Sequence, residues 1–245
     1  MALEAILFDL DDTLLGNSME RFIPAYFEAL TRYMAHLVPA ERLVRELLRC
    51  TQAMEANDGT GVTNEEAFAA VFYPALGYER TTLEPMFHRF YAEEFQKLKG
   101  MTSLRPVARA LVEWAFGRGL QVAIATNPLF PRSPIEQRLA WAGVPVSEFD
   151  YALVTSYENM HATKAHPAYY HEILDLLGRQ PGECLMVGDD WVRDIAPATS
   201  VGIPAYWAVD RSDTPPENNP LLSSQGTLAD LWDWVNADSV IPLIP

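Results

Sequence analysis

Residues 5–14 read AILFDLDDTL, and this stretch decides the fold of the chain. Its first four residues are apolar and predict a short buried strand, after which Asp9 and Asp11 follow two positions apart. Side chains at positions i and i+2 point the same way while the backbone stays extended, so the two carboxylates share one small volume. Carboxylates this close repel each other unless a cation or a shared proton relieves them. The stretch therefore predicts a metal site, a proton-transfer role, or both.

Beyond residue 101, short apolar runs alternate with stretches of helical periodicity. Such alternation is typical of a parallel sheet whose strands are joined by right-handed crossovers through helices. The predicted fold class is therefore α/β, with a Rossmann-like parallel sheet core flanked by helices. Later strands are predicted at residues 121–125, 151–154, 184–187 and 205–209, and the Pro-, Asn- and Ser-rich residues 211–226 are predicted to form a surface loop.

Residues 17–100 have a different pattern, in which apolar side chains repeat at spacings of three and four. Phe22, Tyr26 and Leu30 form one such stripe, and Thr63 followed by Glu66 resembles the start of a further helix. These stripes predict the core of a small all-helical domain rather than a cofactor site. The predicted organisation is an α/β core formed by residues 1–16 and 101–245, with the helical domain inserted at residues 17–100.

Composition and charge restrict the class of protein. The 245-residue chain has 18 Lys and Arg against 33 Asp and Glu, and its formal net charge of -15 at pH 7 disfavours nucleic acid as a partner. No run of apolar residues is long enough to predict a membrane span, and the first residues lack the basic start of a signal peptide. Cys50 and Cys184 are predicted to be free thiols, so we expect a cytoplasmic protein.

Polar side chains follow later elements at positions where a parallel sheet would collect them. These side chains are Thr126, Asn127, Lys164, Asp189, Asp190 and Asp194. Because the carboxyl ends of parallel strands meet at one edge of the sheet, we expect these residues to lie beside Asp9 and Asp11. Each residue alone is also compatible with an ordinary turn or helix cap, and for Asp12 the turn is the preferred interpretation.

The order of these motifs resembles the haloacid dehalogenase superfamily, in its phosphatase branch. The resemblance depends on Asp9-x-Asp11-x-Thr13, then Thr126, Lys164 and Gly188-Asp189-Asp190-x-x-x-Asp194. It covers residues 1–16 and about 101–245, and it implies that residues 17–100 are the helical cap that many members carry between the first and second motifs. One local departure is Lys164-Ala165-His166-Pro167, since the family often has Pro directly after the lysine.

The resemblance implies a hydrolase that is a Mg²⁺-dependent phosphatase acting on a small phosphorylated metabolite. Asp9 would attack phosphorus to form an aspartyl-phosphate, and Asp11 would act first as general acid and then as general base. Mg²⁺ would be held by Asp9, the Asp11 carbonyl and Asp189. The loop at residues 55–63 is expected to meet the substrate.

The other candidate site residues are implied to bind the phosphoryl group or to support the site. Thr126, Asn127 and Lys164 would contact phosphoryl oxygens and balance their charge. Asp190 or Asp194 would orient the metal ligands or the lysine, and the sequence does not divide these roles between them.

Three alternatives stay open at this point. A phosphomutase of the same superfamily shares all of these residues and differs in what the cap admits. A metal-independent 2-haloacid dehalogenase is disfavoured by Asp11, because those enzymes replace the second aspartate. A non-enzymatic phospho-receiver domain also combines acidic residues, Thr and Lys, but its first strand supplies an adjacent acidic pair rather than Asp-x-Asp. The oligomeric state is not predicted.

Overall fold

The computed structural model describes residues 2–210 and 212–237, and its centre is a parallel sheet. The strands of this part of the chain are β1 (Ala5–Phe8), β2 (Leu15–Gly16), β3 (Ser103–Leu104), β4 (Gln121–Ile124), β5 (Leu153–Val154), β6 (Cys184–Gly188), β7 (Ala205–Ala208) and β8 (Leu222–Gly226). Six of them form one sheet in the order β5-β4-β1-β6-β7-β8, with every neighbouring pair parallel. The predicted α/β fold with a parallel sheet is confirmed.

Strand β1 lies at the middle of the sheet, and its two faces are covered differently. Ile6 and Phe8 face one apolar cluster, whereas Ala5 and Leu7 face another on the opposite side of the sheet. Burial on both faces explains why the strand is apolar without alternation, as is typical of parallel sheets. Packing on both faces therefore holds β1 in place, and with it the position of the residues that directly follow the strand.

The helices cover both faces of the sheet and form a separate helical stretch. They are α1 (Met19–Met34), α2 (Ala40–Glu55), α3 (Asn64–Leu76), α4 (Arg80–Glu93), α5 (Ala108–Gly117), α6 (Arg132–Trp141), α7 (Pro167–Leu177), α8 (Ala196–Ser200) and α9 (Leu228–Asn236). A 3₁₀-helix at Phe95–Met101 follows α4, and a π-helical turn at Trp191–Ile195 precedes α8. Within the described residues, no helix is both long and apolar enough to cross a membrane.

Residues 19–101, here called the helical segment, contain α1 to α4 and the 3₁₀-helix. Thr63 and Glu66 form the predicted capping box at the start of α3. Phe95 makes edge contact with Phe22 at 5.8 Å between ring centres and stacks on Trp141 of α6 at 5.4 Å. The predicted helices are present here, while the division into two domains at residues 17 and 100 stays a prediction.

The chain leaves the sheet for the helical segment, and returns from it, at one point. Strands β2 and β3 pair antiparallel, with Leu15 opposite Leu104 and Gly16 opposite Ser103. A Cβ atom on Gly16 would lie 2.3 Å from the Ser103 Oγ and 3.1 Å from the Ser103 carbonyl oxygen, so a larger residue here would require the Ser103 side chain to move. Strands of two residues are too short for a sequence pattern to predict.

Two predicted elements need correction. Residues 222–226, predicted as part of a surface loop, form β8 and pair with β7 at the edge of the sheet. The sequence pattern did not indicate this strand because Ser223 and Ser224 are polar. Polar residues are tolerated in a strand at the edge of a sheet, whereas a central strand would exclude them. The predicted helix at residues 192–200 begins instead as the π-helical turn. Arg211, within the predicted loop, lies outside the described residues.

Candidate active site

The carboxylate of Asp9 lies at the end of β1 and contacts a buried lysine. The Lys164 Nζ atom is 2.5 Å from the Asp9 Oδ1 atom and 2.5 Å from the Asp194 Oδ1 atom. Burial alone would lower the pKa of Lys164, but the carboxylates of Asp194 and Asp9 outweigh it and raise that pKa well above its usual value. The ammonium group is therefore charged at neutral pH and aimed at the end of the central strand.

Three carboxylates share this end of the sheet. One oxygen from each of Asp9, Asp189 and Asp194 lies within 4.8 Å of the others. Burial, followed by repulsion from Asp9 and Asp194, raises the pKa of Asp189 to about 8. An all-oxygen set of carboxylates is the kind of donor set that binds hard divalent cations, and a cation would relieve the repulsion. The residues present therefore fit a divalent metal.

Asp190 and Asp194, to which the sequence assigned no separate roles, make different contacts in the structure. Asp194 contacts Lys164, and its Oδ2 atom accepts a hydrogen bond of 3.1 Å from the Asp190 backbone N–H. Asp190 instead caps the π-helical turn by accepting from the backbone N–H groups of Val192 at 2.8 Å and Arg193 at 3.1 Å. Asp194 thus contacts the lysine, while Asp190 caps the turn that carries Asp194.

Gly188, the last residue of β6, makes room for the Asp194 carboxylate. A Cβ atom at this position would lie 2.3 Å from the Asp194 Oδ2 atom. We expect Gly188→Ala to lower the free energy of unfolding by about 1–3 kcal/mol, because the buried carboxylate has nowhere to move without losing Lys164. Gly117→Ala, where no atom lies within 4 Å of the added Cβ, is the matched control in urea denaturation. Equal effects of the two substitutions would contradict the close fit.

Thr126 and Asn127 follow β4 and reach the same site. The Thr126 carbonyl accepts hydrogen bonds from the hydroxyl groups of Thr155 at 2.8 Å and Tyr169 at 2.9 Å, which holds the turn in place. The Asn127 Oδ1 atom accepts from the Lys164 backbone N–H at 3.3 Å. Both residues line a cavity of about 310 Å³ whose walls also include all six of the predicted acidic and basic residues, namely Asp9, Asp11, Lys164, Asp189, Asp190 and Asp194.

Both carboxylate oxygens of Asp11 have partners. The Oδ1 atom accepts a 2.7 Å hydrogen bond from the Asn17 Nδ2 atom, and the Oδ2 atom is paired with the Arg138 Nη1 atom. Burial is the largest influence on the pKa of Asp11 and raises it, although Arg138 acts in the opposite direction. A raised pKa favours the protonated form that a general acid needs.

Arg138 is a site residue that the sequence interpretation missed. It is 1% exposed, and its Cζ atom lies 4.8 Å from the centre of the Phe130 ring. Its Nε atom donates to the Pro134 carbonyl at 3.3 Å, while its Nη2 atom is buried without a hydrogen-bond partner. A guanidinium group this deeply buried needs a carboxylate partner, and Asp11 provides it.

One signal in the sequence could have pointed to Arg138. It lies three residues after Ile135 and directly before Leu139, both of which are fully buried on α6. Arg138 therefore occupies the apolar face of the helix, where a charged residue is rarely found unless it is paired. The identity of the partner, 127 positions earlier in the chain, could not be obtained from spacing.

Two further expectations concern residues near the cavity. Asp12 has a φ of 60°, its Oδ1 atom accepts from the Asn17 backbone N–H at 3.1 Å, and its carbonyl accepts from Arg105 at 3.0 Å. These contacts agree with its interpretation as a turn residue. Of the loop expected to meet the substrate, Glu55 lies in the cavity wall.

Relatives of known name cover most of the chain. This chain is 30% identical over 248 residues to a phosphoserine phosphatase of Thermus thermophilus, and the alignment covers 90% of this chain and 94% of that protein. It is 27% identical over 237 residues to a phosphoglycolate phosphatase of Rhodospirillum rubrum, covering 95% of this chain and 90% of that protein.

Solved structures show the same architecture. A 2-haloacid dehalogenase from Pseudomonas syringae pv. Tomato superposes with a TM-score of 0.66 at 20% identity, covering 96% of this chain and 99% of that one. At this level of identity the similarity concerns the fold. Residues 3–202 match the family of haloacid dehalogenase-like hydrolases. With this match over most of its length, and with the motif residues gathered at one edge of the sheet, the chain belongs to the haloacid dehalogenase-like hydrolases.

Proposed function

We propose that the protein is a phosphatase that hydrolyses a small phosphorylated metabolite through an aspartyl-phosphate on Asp9. The observation that carries the proposal is the position of the Asp9 carboxylate at the end of β1, 2.5 Å from the Lys164 ammonium and in the wall of the 310 Å³ cavity. A carboxylate beside a fixed cation can attack phosphorus while the cation balances the charge that develops on the phosphoryl oxygens. The two relatives named as phosphatases support the same assignment.

The proposed reaction has two steps. In the first, an Asp9 oxygen bonds to phosphorus, the ester P–O bond breaks, and Asp11 gives its proton to the departing alcohol. In the second, Asp11 takes a proton from water, the water oxygen bonds to phosphorus, and the bond to Asp9 breaks to release phosphate. Thr126 and Asn127 bind phosphoryl oxygens in both steps, and Asp194 keeps Lys164 in place.

Mg²⁺ is the metal we propose for the acidic cluster. Asp9 and Asp189 would hold it together with the Asp11 carbonyl, and Asp194 is a further candidate ligand because its carboxylate belongs to the same cluster. A bound Mg²⁺ offsets the negative charge of the carboxylates and of the phosphoryl group. Carboxylate ligands without His or Cys favour a hard cation such as Mg²⁺ over Zn²⁺ or Cu²⁺.

We also propose that residues 17–100 act as a cap over a catalytic core formed by residues 1–16 and 101–245. Met19, Ile23 and Glu55 from the helical segment line the cavity together with the aspartates, which supports this division. A cap in this position would exclude bulk water during the first step. The thiols of Cys50 and Cys184 are unpaired and buried, which supports a reducing compartment such as the cytoplasm.

A phosphate-release assay with and without metal tests the proposed function. We expect purified protein to release inorganic phosphate from acetyl phosphate or phosphomonoesters in the presence of Mg²⁺. EDTA should abolish release, and added Mg²⁺ should restore it, because three carboxylates cannot otherwise accommodate a phosphoryl group. Halide release from a 2-haloacid in the presence of EDTA would identify a dehalogenase instead. Conversion of a sugar phosphate to its isomer without free phosphate would identify a phosphomutase.

A further inference from the structure

A second cavity of about 230 Å³ adjoins the active-site cavity. The two cavities share three wall residues, Ile23, Leu129 and Phe130. Ile23 comes from α1, whereas the other two lie between β4 and α6. The second cavity therefore borders the one that contains Asp9.

The walls of the second cavity are largely aromatic and aliphatic, with contributions from α1, α2, α3 and α4. They include Phe27, Leu47, Met54, Phe68 and Phe87. Among the described residues of this wall, the ionisable side chains other than tyrosine are Glu84 and the exposed His88. The Glu84 carboxylate accepts a hydrogen bond of 2.8 Å from the Arg80 Nε atom. An apolar wall favours an apolar occupant, because the water released from both surfaces stabilises the complex.

The cations that a charged substrate would need are already paired. Among the described residues that line either cavity, the Lys and Arg side chains are Lys164, Arg138 and Arg193. Lys164 contacts Asp9 and Asp194, Arg138 contacts Asp11, and Arg193 contacts Asp190. A second anionic group on the substrate would thus meet carboxylates, apolar walls and the exposed imidazole of His88, and none of these supplies a buried cation for it.

We propose that the alcohol portion of the substrate is an uncharged apolar group that occupies the second cavity. This inference depends on the proposed phosphatase function and narrows its substrate class to esters with a ring or a short alkyl chain. The size agrees, because an apolar cavity of about 150 Å³ is sufficient to bind benzene. The carboxylate-bearing esters after which the two relatives are named belong to the disfavoured class.

A series of n-alkyl phosphates from methyl to hexyl tests the inference, with acetyl phosphate as the reference. We expect kcat/KM to rise about fourfold with each added methylene, the equivalent of ~0.8 kcal/mol of apolar burial, until the cavity is full. Hydrolysis of acetyl phosphate with no rise along the series, or a preference for phosphoglycolate or phosphoserine, would overturn the substrate class and leave the phosphatase intact. Failure to hydrolyse any of these compounds would overturn both proposals.

A tryptophan that fills the second cavity provides an independent test. Thr51 lines this cavity from α2, and its hydroxyl donates to the Leu47 carbonyl at 3.1 Å. We expect Thr51→Trp to lower kcat/KM for hexyl phosphate to the level of methyl phosphate, a loss of up to about 10³-fold when all five added methylenes are buried, and to lower acetyl phosphate hydrolysis far less. Thr31→Trp is the matched control, because Thr31 also donates to the carbonyl four residues earlier and lines neither cavity. Equal losses in both variants, or a loss with acetyl phosphate as large as that with hexyl phosphate, would contradict the assignment.

Discussion

Replacing Asp9 with asparagine is expected to abolish phosphate release, with a loss on the order of 10⁴-fold or more, while the protein stays folded. The amide is a poor nucleophile, so no aspartyl-phosphate can form. The fold should survive because the amide oxygen can still accept from Lys164, while one of three crowded negative charges is removed. Steady-state phosphate release, with circular dichroism on the same sample, measures both parts of this prediction.

The neighbouring Asp12 supplies the control for the same chemical change. Its φ of 60° is a conformation that asparagine readily adopts, and an amide oxygen can replace the carboxylate that accepts from the Asn17 backbone N–H. Asp12→Asn should therefore retain activity within about twofold of the unchanged protein, because substitutions at solvent-accessible turn residues usually have small effects. Near-normal turnover in Asp9→Asn would rule out the proposed nucleophile.

Arg138→Met is expected to lower the free energy of unfolding by about 3–5 kcal/mol. The substitution keeps an apolar stem in the space beside Phe130 but leaves the buried carboxylate of Asp11 without its cation. A buried carboxylate that loses its partner costs far more than the pair contributes when intact. Urea denaturation of both proteins measures this difference in the free energy of unfolding, provided that their m-values are equal.

Two further variants separate the ion pair from simple loss of packing. Adding Asp11→Asn to Arg138→Met should restore about 1–3 kcal/mol, since the amide no longer carries an unpaired charge. Arg132→Met on the same helix removes the exposed Arg132–Glu136 pair at 2.6 Å and should cost about 0.3–0.5 kcal/mol. If Arg138→Met costs as little as Arg132→Met, the buried pair does not stabilise the fold as described.

The parts of the site that could be predicted are those that follow from strand order. Asp9, Thr126 and Asp189 each come directly after, or one residue beyond, an apolar run, and parallel pairing brings such positions to one edge whatever their separation in the chain. The catalytic and metal-binding roles of these residues stay predictions. Their convergence in one cavity wall is a property of the structure.

The parts that could not be predicted depend on contacts between elements without a repeating pattern. Arg138 meets Asp11 because α6 packs against β2, which follows Asp11 in the chain, and no spacing in the sequence encodes that packing. The division of labour between Asp190 and Asp194 likewise depends on the π-helical turn, which places Asp194 beneath Gly188 and turns its carboxylate toward Lys164. Turns of this kind have no established sequence signature, although they are frequent at functional sites.

The pairing of β2 with β3 brings the two ends of the helical segment together. Because Gly16 lies opposite Ser103, β2 and β3 pair as the two strands of a hairpin would, and the residues between them correspond to its loop. Doubling the length of such a loop adds only about 0.6 kcal/mol of closure entropy, so a longer or shorter helical segment costs little in chain entropy. The walls that α1 to α4 contribute to the second cavity can therefore change in length at little entropic cost while the aspartates and the lysine stay in place, as long as contacts such as that of Phe95 with Trp141 are kept.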